Sequence, residues 1–386
     1  MLAALNSSQT RHTTGPDPRR SHSKGYIPTL DGWRAIAIIW VLFAHSQVWS
    51  LGRFSIRPVV ETGNRGVQLF FALSGFLICS RLLREEVASK SISLKSFYIR
   101  RLFRIQPAAL TYLLVLVLLG AIGIIKLYLP GVIGAALMIR NFWPSTPAEG
   151  AWYTAHFWSL AVEEHFYLLL PGFLVLCRKR RLMILGLAVV AFEFWRQVVF
   201  NSPPLQRVGM LVDLRTDMVI GEILLGSVTA VALAEYPSFQ TYVKRWLHPW
   251  LALLYTTAVF TYLSFHESRF NHAILITVFP VLIIATVFHA GTWVSRFLEL
   301  AAVRFVGRIS YSLYLWQMLF LDPFVTPARG TFRANNTLCW CAAIACSIAS
   351  YYLVEKPLIS VGHRLAARSQ QSQMVNFKPV QGANVS

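Results

Sequence analysis

Leu30 to Ser46 reads LDGWRAIAIIWVLFAHS, an apolar run that opens on Arg34 and nearly closes on His45. At about 100° per residue, the eleven steps between them turn the chain through roughly 1100°, three full turns and about 20° more. Both side chains therefore leave one helix face. At about 1.5 Å of rise per residue they lie roughly 16 Å apart along the axis, about half the thickness of a bilayer's hydrocarbon core. The question is why an apolar segment carries a guanidinium at one depth and an imidazole half a bilayer further along.

The rest of the chain is apolar as well. It has 386 residues, 55% hydrophobic and 14% charged, against about 25% charged in an average soluble domain. Runs such as Leu110–Ile125, Leu182–Phe194, Leu251–Phe265 and Ala273–Phe288 have the apolar character of membrane spans. Ten spans fit, near 34–50, 66–82, 106–127, 153–177, 182–200, 218–235, 249–265, 272–290, 308–325 and 336–355. The expected fold is an all-α polytopic membrane bundle of about ten transmembrane helices. Residues 130–140 are apolar but too short to cross, and suit a re-entrant or interfacial helix.

Both ends read as polar tails: 1–27 as a disordered cytoplasmic segment and 363–386 as a flexible one, with a single membrane domain over 28–362 between them. The formal net charge of +19 does not point to nucleic acid, because no basic segment sits in a soluble domain. It reflects the enrichment of Lys and Arg in cytoplasmic loops. Starting the chain inside places 25 of the 36 basic residues on the inner side, so both termini are expected in the cytoplasm. The five cysteines, at 79, 177, 339, 341 and 346, lack histidine partners at metal-ligand spacing. They read as small core residues, with no metal site and no disulfide framework.

Ionisable groups inside spans are costly, about 2.5–3.5 kcal/mol each on insertion scales, and are usually buried and functional. His45 falls near mid-membrane, where a neutral imidazole serves as a general base; a hydrogen bond to a neighbouring helix is the plain alternative. Glu163, in AWYTAHFWSLAVEEHFYLLLPG, reaches a similar depth, and its neighbours Glu164 and His165 must face other sides of the helix. Arg100, Arg101 and Arg104, in YIRRLFRIQPA, form a basic face at a cytoplasmic mouth, either as simple inside charge or as a clamp for phosphate. Glu355, in YYLVEKPL, reads as a local interfacial charge. Ser74 and Gly75, in GVQLFFALSGFLI, allow close helix approach.

Six segments together resemble the acyltransferase-3 family of integral membrane O-acyltransferases: LDGWRAIAIIWVLFAH, GVQLFFALSGFLI, IRRLFRIQPA, WSLAVEEHFYLLLP, GRISYSLYLW and VEKP, spread over residues 30–357. The resemblance implies ten transmembrane helices and transfer of an acyl group, usually acetyl from acetyl-CoA, to a hydroxyl. It implies a carbohydrate acceptor, such as a surface polysaccharide or lipid-linked sugar, and a bacterial cytoplasmic membrane. By position, Arg34 and His45 match the family's first-helix pair, Arg101 and Arg104 its basic motif, and Glu163 and Glu355 its two glutamates. Two departures stand out: His165 replaces the usual Gln, and Gln317 replaces the usual His, so position 317 can only hydrogen-bond.

The implied mechanism has Arg101 and Arg104, with Arg100 and Arg34, holding CoA phosphates. His45 either deprotonates the acceptor hydroxyl or first receives the acyl group, and Glu163 stabilises the charged imidazole. The competing class is a proton-coupled transporter, which also buries His, Glu and Arg. No internal repeat supports that alternative.

Overall fold

Leu110, Leu114 and Leu118 follow one another at four-residue steps on one helix, and each is more than half exposed. Leu187, Val190 and Phe194, three and then four residues apart, are likewise more than half exposed on another. Stripes of this size facing outward are foreign to soluble monomers, and are what a helix presents to lipid. Among the described residues, seven helical segments are long and apolar enough to cross a membrane: Thr62–Ser89, Leu94–Ala121, Ala151–Leu176, Arg181–Phe200, Val212–Glu235, Asn271–Phe288 and Thr337–Gln370. The protein is an integral membrane protein.

The computed structural model describes residues 26–46, 57–142, 150–206, 212–266, 268, 270–321 and 336–376, and within these every regular element is helical. In chain order the helices are α1 (Pro28–His45), α2 (Arg57–Ser89), α3 (Leu94–Ala121), α4 (Leu129–Ala136), α5 (Phe157–Leu176), α6 (Arg181–Phe200) and α7 (Pro203–Gln206). They continue as α8 (Thr216–Glu235), α9 (Pro237–Trp246), α10 (Pro249–Phe265), α11 (Asn271–Leu275) and α12 (Val278–Phe288). The last are α13 (Trp293–Leu298), α14 (Ala301–Arg308), α15 (Ser310–Phe320), α16 (Asn336–Ser350) and α17 (Lys356–Asn376).

Three of the ten expected spans correspond to helices shorter or less apolar than the seven. These are α1, with 18 residues, α10, with 17, and α15, with 11. The apolar stretch near 130–140 forms α4, whose 8 residues rise only about 12 Å, too little to cross. At the C-terminal end helix continues to Asn376, well into the segment expected to be flexible. Residues 1–25 and 377–386 of the two expected tails lie outside the described residues.

The chain divides into two compact units where the sequence suggests one domain. The first gathers Met1–Ala44, Phe54–Lys90 and Val162–Ser310. Its tightest helix pair is α2 with α8, and glycines explain why. A Cβ added at Gly75 would fall on the Ile223 carbonyl oxygen, and one at Gly226 on that of Ala72. Small residues let the two backbones touch, which is how helices gain dispersion energy where lipid removes the hydrophobic drive. In the same unit α1 is held by Trp33, whose indole donates to Thr286 at 2.8 Å, and by Thr29, which donates to Glu299 at 2.8 Å.

The second unit gathers His45–Arg53, Ser91–Ala161 and Tyr311–Ser386. Ser93 caps α3, accepting from the Ser96 amide at 3.4 Å, and so satisfies one of the orphan donors at the helix start. The Tyr311 hydroxyl donates to the Ile105 carbonyl at 2.9 Å, which pins the start of α15 to α3 just past its third turn. A π-helical turn, Tyr351–Glu355, joins α16 to α17.

Candidate active site

α1 runs unbroken from Pro28 to His45, so Arg34 and His45 keep their eleven-residue spacing on one helix. Arg34 is half-buried and its Nε donates to Ser310 Oγ at 3.3 Å. No carboxylate pairs with it among the described residues. A guanidinium in contact with one neutral hydroxyl keeps most of its fork for an anion.

His45 sits at the end of α1 and its Nδ1 lies 3.2 Å from Gln317 Oε1. The amide's orientation is set from its other end, because Gln317 Nε2 donates to the Tyr314 carbonyl at 3.2 Å. An amide oxygen only accepts, so Nδ1 carries the proton and Nε2 is left with its lone pair. Nε2 has no protein partner among the described residues. Gln317 is fully buried, and the indole of Trp152 stands edge-on to the imidazole, with ring centres 5.4 Å apart and planes at 83°. Gln317 thus hydrogen-bonds His45, as expected of a side chain at that position that cannot move a proton.

The sequence suggests Glu163 as the carboxylate beside this imidazole, but the hydrogen bond His45 makes is to an amide. Glu163 accepts from the Ser74 hydroxyl at 2.8 Å and from the Tyr167 hydroxyl at 2.7 Å, and Tyr167 also reaches Ser74 at 3.1 Å. Its neighbour His165 turns to Thr216 Oγ1 at 2.8 Å, so the two face different partners, as helical geometry requires. Ser74 is a carboxylate-bound hydroxyl next to a packing glycine.

Arg100, Arg101 and Arg104 occupy the second and third turns of α3, half-buried and each engaged in local interactions. Their spacing places Arg104 on the same helix side as both others. Tyr311 binds α3 at Ile105 and Gln317 binds His45. The six steps from Tyr311 to Gln317 along α15 rise roughly 9 Å. Glu355 is not an exposed interfacial charge: it is 4% exposed and accepts from the Ser312 hydroxyl. Of the cysteines, Cys79 and Cys339 are buried, Cys177 and Cys346 half-buried and Cys341 exposed, so only two behave as the core residues expected.

Two features escape sequence reasoning. The first is His156, directly before α5 and unremarked in its segment. It is 2% exposed and neither ring nitrogen has a hydrogen-bond partner. The second is a largely shielded ionic cluster on α6, α8 and α11, in which Glu222 is buried and Glu193 and His272 are half-buried. His272 Nδ1 reaches Glu193 Oε2 at 3.0 Å and its Nε2 reaches Glu222 Oε1 at 3.1 Å. Gln68 Nε2 also donates to Glu222 Oε1, at 3.3 Å. Glu193 lies inside the apolar run of α6 and His272 at the start of α11, 79 residues apart in sequence, and only the fold brings them together with Glu222.

Residues 27–355 match a family model described as an acyltransferase domain, of the acyltransferase-3 type. A Staphylococcus aureus protein named "Putative O-acetyltransferase" is 30% identical over 321 residues, 75% of this chain and 50% of that protein. The Listeria monocytogenes "Peptidoglycan O-acetyltransferase OatA" is 25% identical over 368 residues, 86% of this chain and 54% of that protein. The chain spans about half the length of these curated relatives. No solved structure matches it significantly.

Proposed function

The chain belongs to the acyltransferase-3 family, and from that premise we propose that it moves an acetyl group from acetyl-CoA to a carbohydrate hydroxyl. The reading places the donor on the cytoplasmic side of a bacterial cytoplasmic membrane and the acceptor on the far side. In it, α1, α10 and α15 join the seven long apolar helices to make ten crossings, with both termini inside. The acceptor class is a cell-surface polysaccharide or its lipid-linked precursor. Peptidoglycan comes first for testing, because a relative bears that name.

The observation that carries this reading is the His45–Gln317 contact, which leaves Nε2 of a buried-side imidazole as a free lone pair. That is the state a general base needs to take a hydroxyl proton. The same lone pair would carry the acyl group if transfer passes through the imidazole, a route that acid-quench labelling with radioactive acetyl-CoA distinguishes. Arg100, Arg101 and Arg104 are assigned to the CoA phosphates, which a guanidinium fork binds bidentately. Arg34, one face up the helix from His45, is assigned to the donor's negative charge as well. Glu163 takes a carboxylate's part in the reaction, its oxygens steadied by Ser74 and Tyr167.

The test is thiol release from acetyl-CoA by nanodisc-embedded protein, with a soluble peptidoglycan digest as acceptor. His45→Ala is expected to lower kcat by about 10³-fold, within the range for a lost general base, with an unchanged melting temperature. Equal release by both proteins would remove His45 from the chemistry. No release by wild type, with either peptidoglycan or a crude envelope polysaccharide fraction, would overturn the acetyl-CoA reading. Arg101→Ala with Arg104→Ala should raise KM for acetyl-CoA about tenfold or more, as expected for lost charge-assisted bonds. An unchanged KM would sink the clamp.

A further inference from the structure

Two buried polar groups have no role in the reading above. His156 has neither ring nitrogen hydrogen-bonded, and the Trp316 Nε1–H, on a residue 8% exposed, has no partner either. Leaving a buried donor or acceptor unmet costs the full desolvation of that group, and such groups are few in native proteins. The two belong to one cluster. The Tyr112 ring stands edge-on to both, with ring centres 5.5 Å from His156 and 5.6 Å from Trp316.

The cluster lies at the level of His45 within the second unit. Trp316 directly precedes Gln317, the residue that holds His45. The Tyr314 ring is 5.4 Å from His156, and the Tyr314 carbonyl orients the Gln317 amide. Trp152, one turn before His156 in sequence, is the indole set edge-on to His45. Three separate links thus connect the unused groups to the candidate base.

We propose that His156 and Trp316 form an oxyanion site, their N–H groups binding the carbonyl oxygen of the acyl donor's thioester. The proposal rests on the acetyl-CoA reading above. His45 Nε2 takes the proton of the acceptor hydroxyl as the acceptor oxygen bonds to the thioester carbon. The carbonyl π pair moves onto oxygen, where the imidazole and indole N–H groups hold it. The pair then returns, the C–S bond breaks, and the CoA sulfur leaves with the proton from His45. An indole is only a donor and a neutral imidazole offers one N–H, so both can aim at an oxygen that gains charge during the reaction. Donors fixed beforehand in a water-poor, aromatic setting are the arrangement that stabilises such an oxygen most.

The test uses the full chain in nanodiscs with acetyl-CoA and the same peptidoglycan digest. His156→Phe suits the aromatic surroundings and removes an unmet imidazole, so its melting temperature should equal or exceed that of wild type. Its kcat should fall about 10²- to 10³-fold, the loss known for a single oxyanion donor, with KM for acetyl-CoA unchanged. Trp316→Phe should lose about 10²-fold on the same ground, while His156→Gln, which keeps an N–H donor, should recover part of the activity. The second readout needs no acceptor: the infrared C=O stretch of bound [1-13C]acetyl-CoA should move to lower frequency in wild type and move back in His156→Phe. Wild-type kcat in His156→Phe, or a lowered kcat with an unmoved band, would overturn the oxyanion site. A wild type that binds no acetyl-CoA would instead remove the donor reading and this proposal with it.

Discussion

His272 and His45 are both histidines within apolar surroundings, and they are used in opposite ways. Both ring nitrogens of His272 face carboxylate oxygens, of Glu193 on one side and Glu222 on the other. A carboxylate only accepts, so both nitrogens donate and no lone pair remains. That ring ties α6, α8 and α11 together and has nothing left for a substrate. His45 makes one hydrogen bond, to an amide locked by a backbone carbonyl, and keeps its other nitrogen unspent. His156 keeps both. The lesson is that the number of nitrogens already committed separates a structural histidine from a chemical one, whatever the depth at which each is buried.

The sharpest way to break this contrast is to remove His272. His272→Ala leaves the buried Glu222 and the half-buried Glu193 without their shared partner, and breaking a buried ion pair from one side costs about 3–5 kcal/mol. The expected outcome is a large drop in melting temperature in nanodiscs, with kcat of the protein that stays folded within a few-fold of wild type. A variant that melts normally but loses turnover would reverse the assignment and make the cluster chemical. The effect at Gln317 should be smaller and of the other kind. Gln317→Leu removes the bond that selects the His45 tautomer, worth about 1–1.5 kcal/mol, so kcat should fall about tenfold with KM for acetyl-CoA and melting unchanged. Gln317→Glu keeps an acceptor at the same place and should restore a good part of that loss. If Gln317→Leu turns over like wild type, the tautomer is set by something else.

Much of this molecule is legible before any coordinates. Helical period placed Arg34 and His45 on one face of one helix, and the continuous α1 keeps them there. Hydropathy located the long spans, and the Ser74–Gly75 pair announced a close helix contact that Gly75 makes on α8. The sequence was less informative about the short elements. The hydropathy reads 308–325 as a full span, where the helix α15 has only 11 residues, and hydropathy says nothing of the contacts that Gln317, Tyr314 and Trp316 make there. Glu355 looked interfacial because a Lys and a Pro follow it, and its burial against Ser312 depends on a helix some forty residues earlier in the chain.

By itself, then, the sequence determined what is local and periodic: that the chain is a membrane helical bundle, and which residues share a helix face, because one turn's geometry is the same in any fold. Only the tertiary structure decided how each polar group is spent. Whether a nitrogen donates to Gln317, lies between two glutamates or meets nothing at all depends on side chains distant in sequence, and hydrogen bonds act over about 3 Å. The chemistry of a buried histidine is set within that distance, and a linear pattern does not measure it.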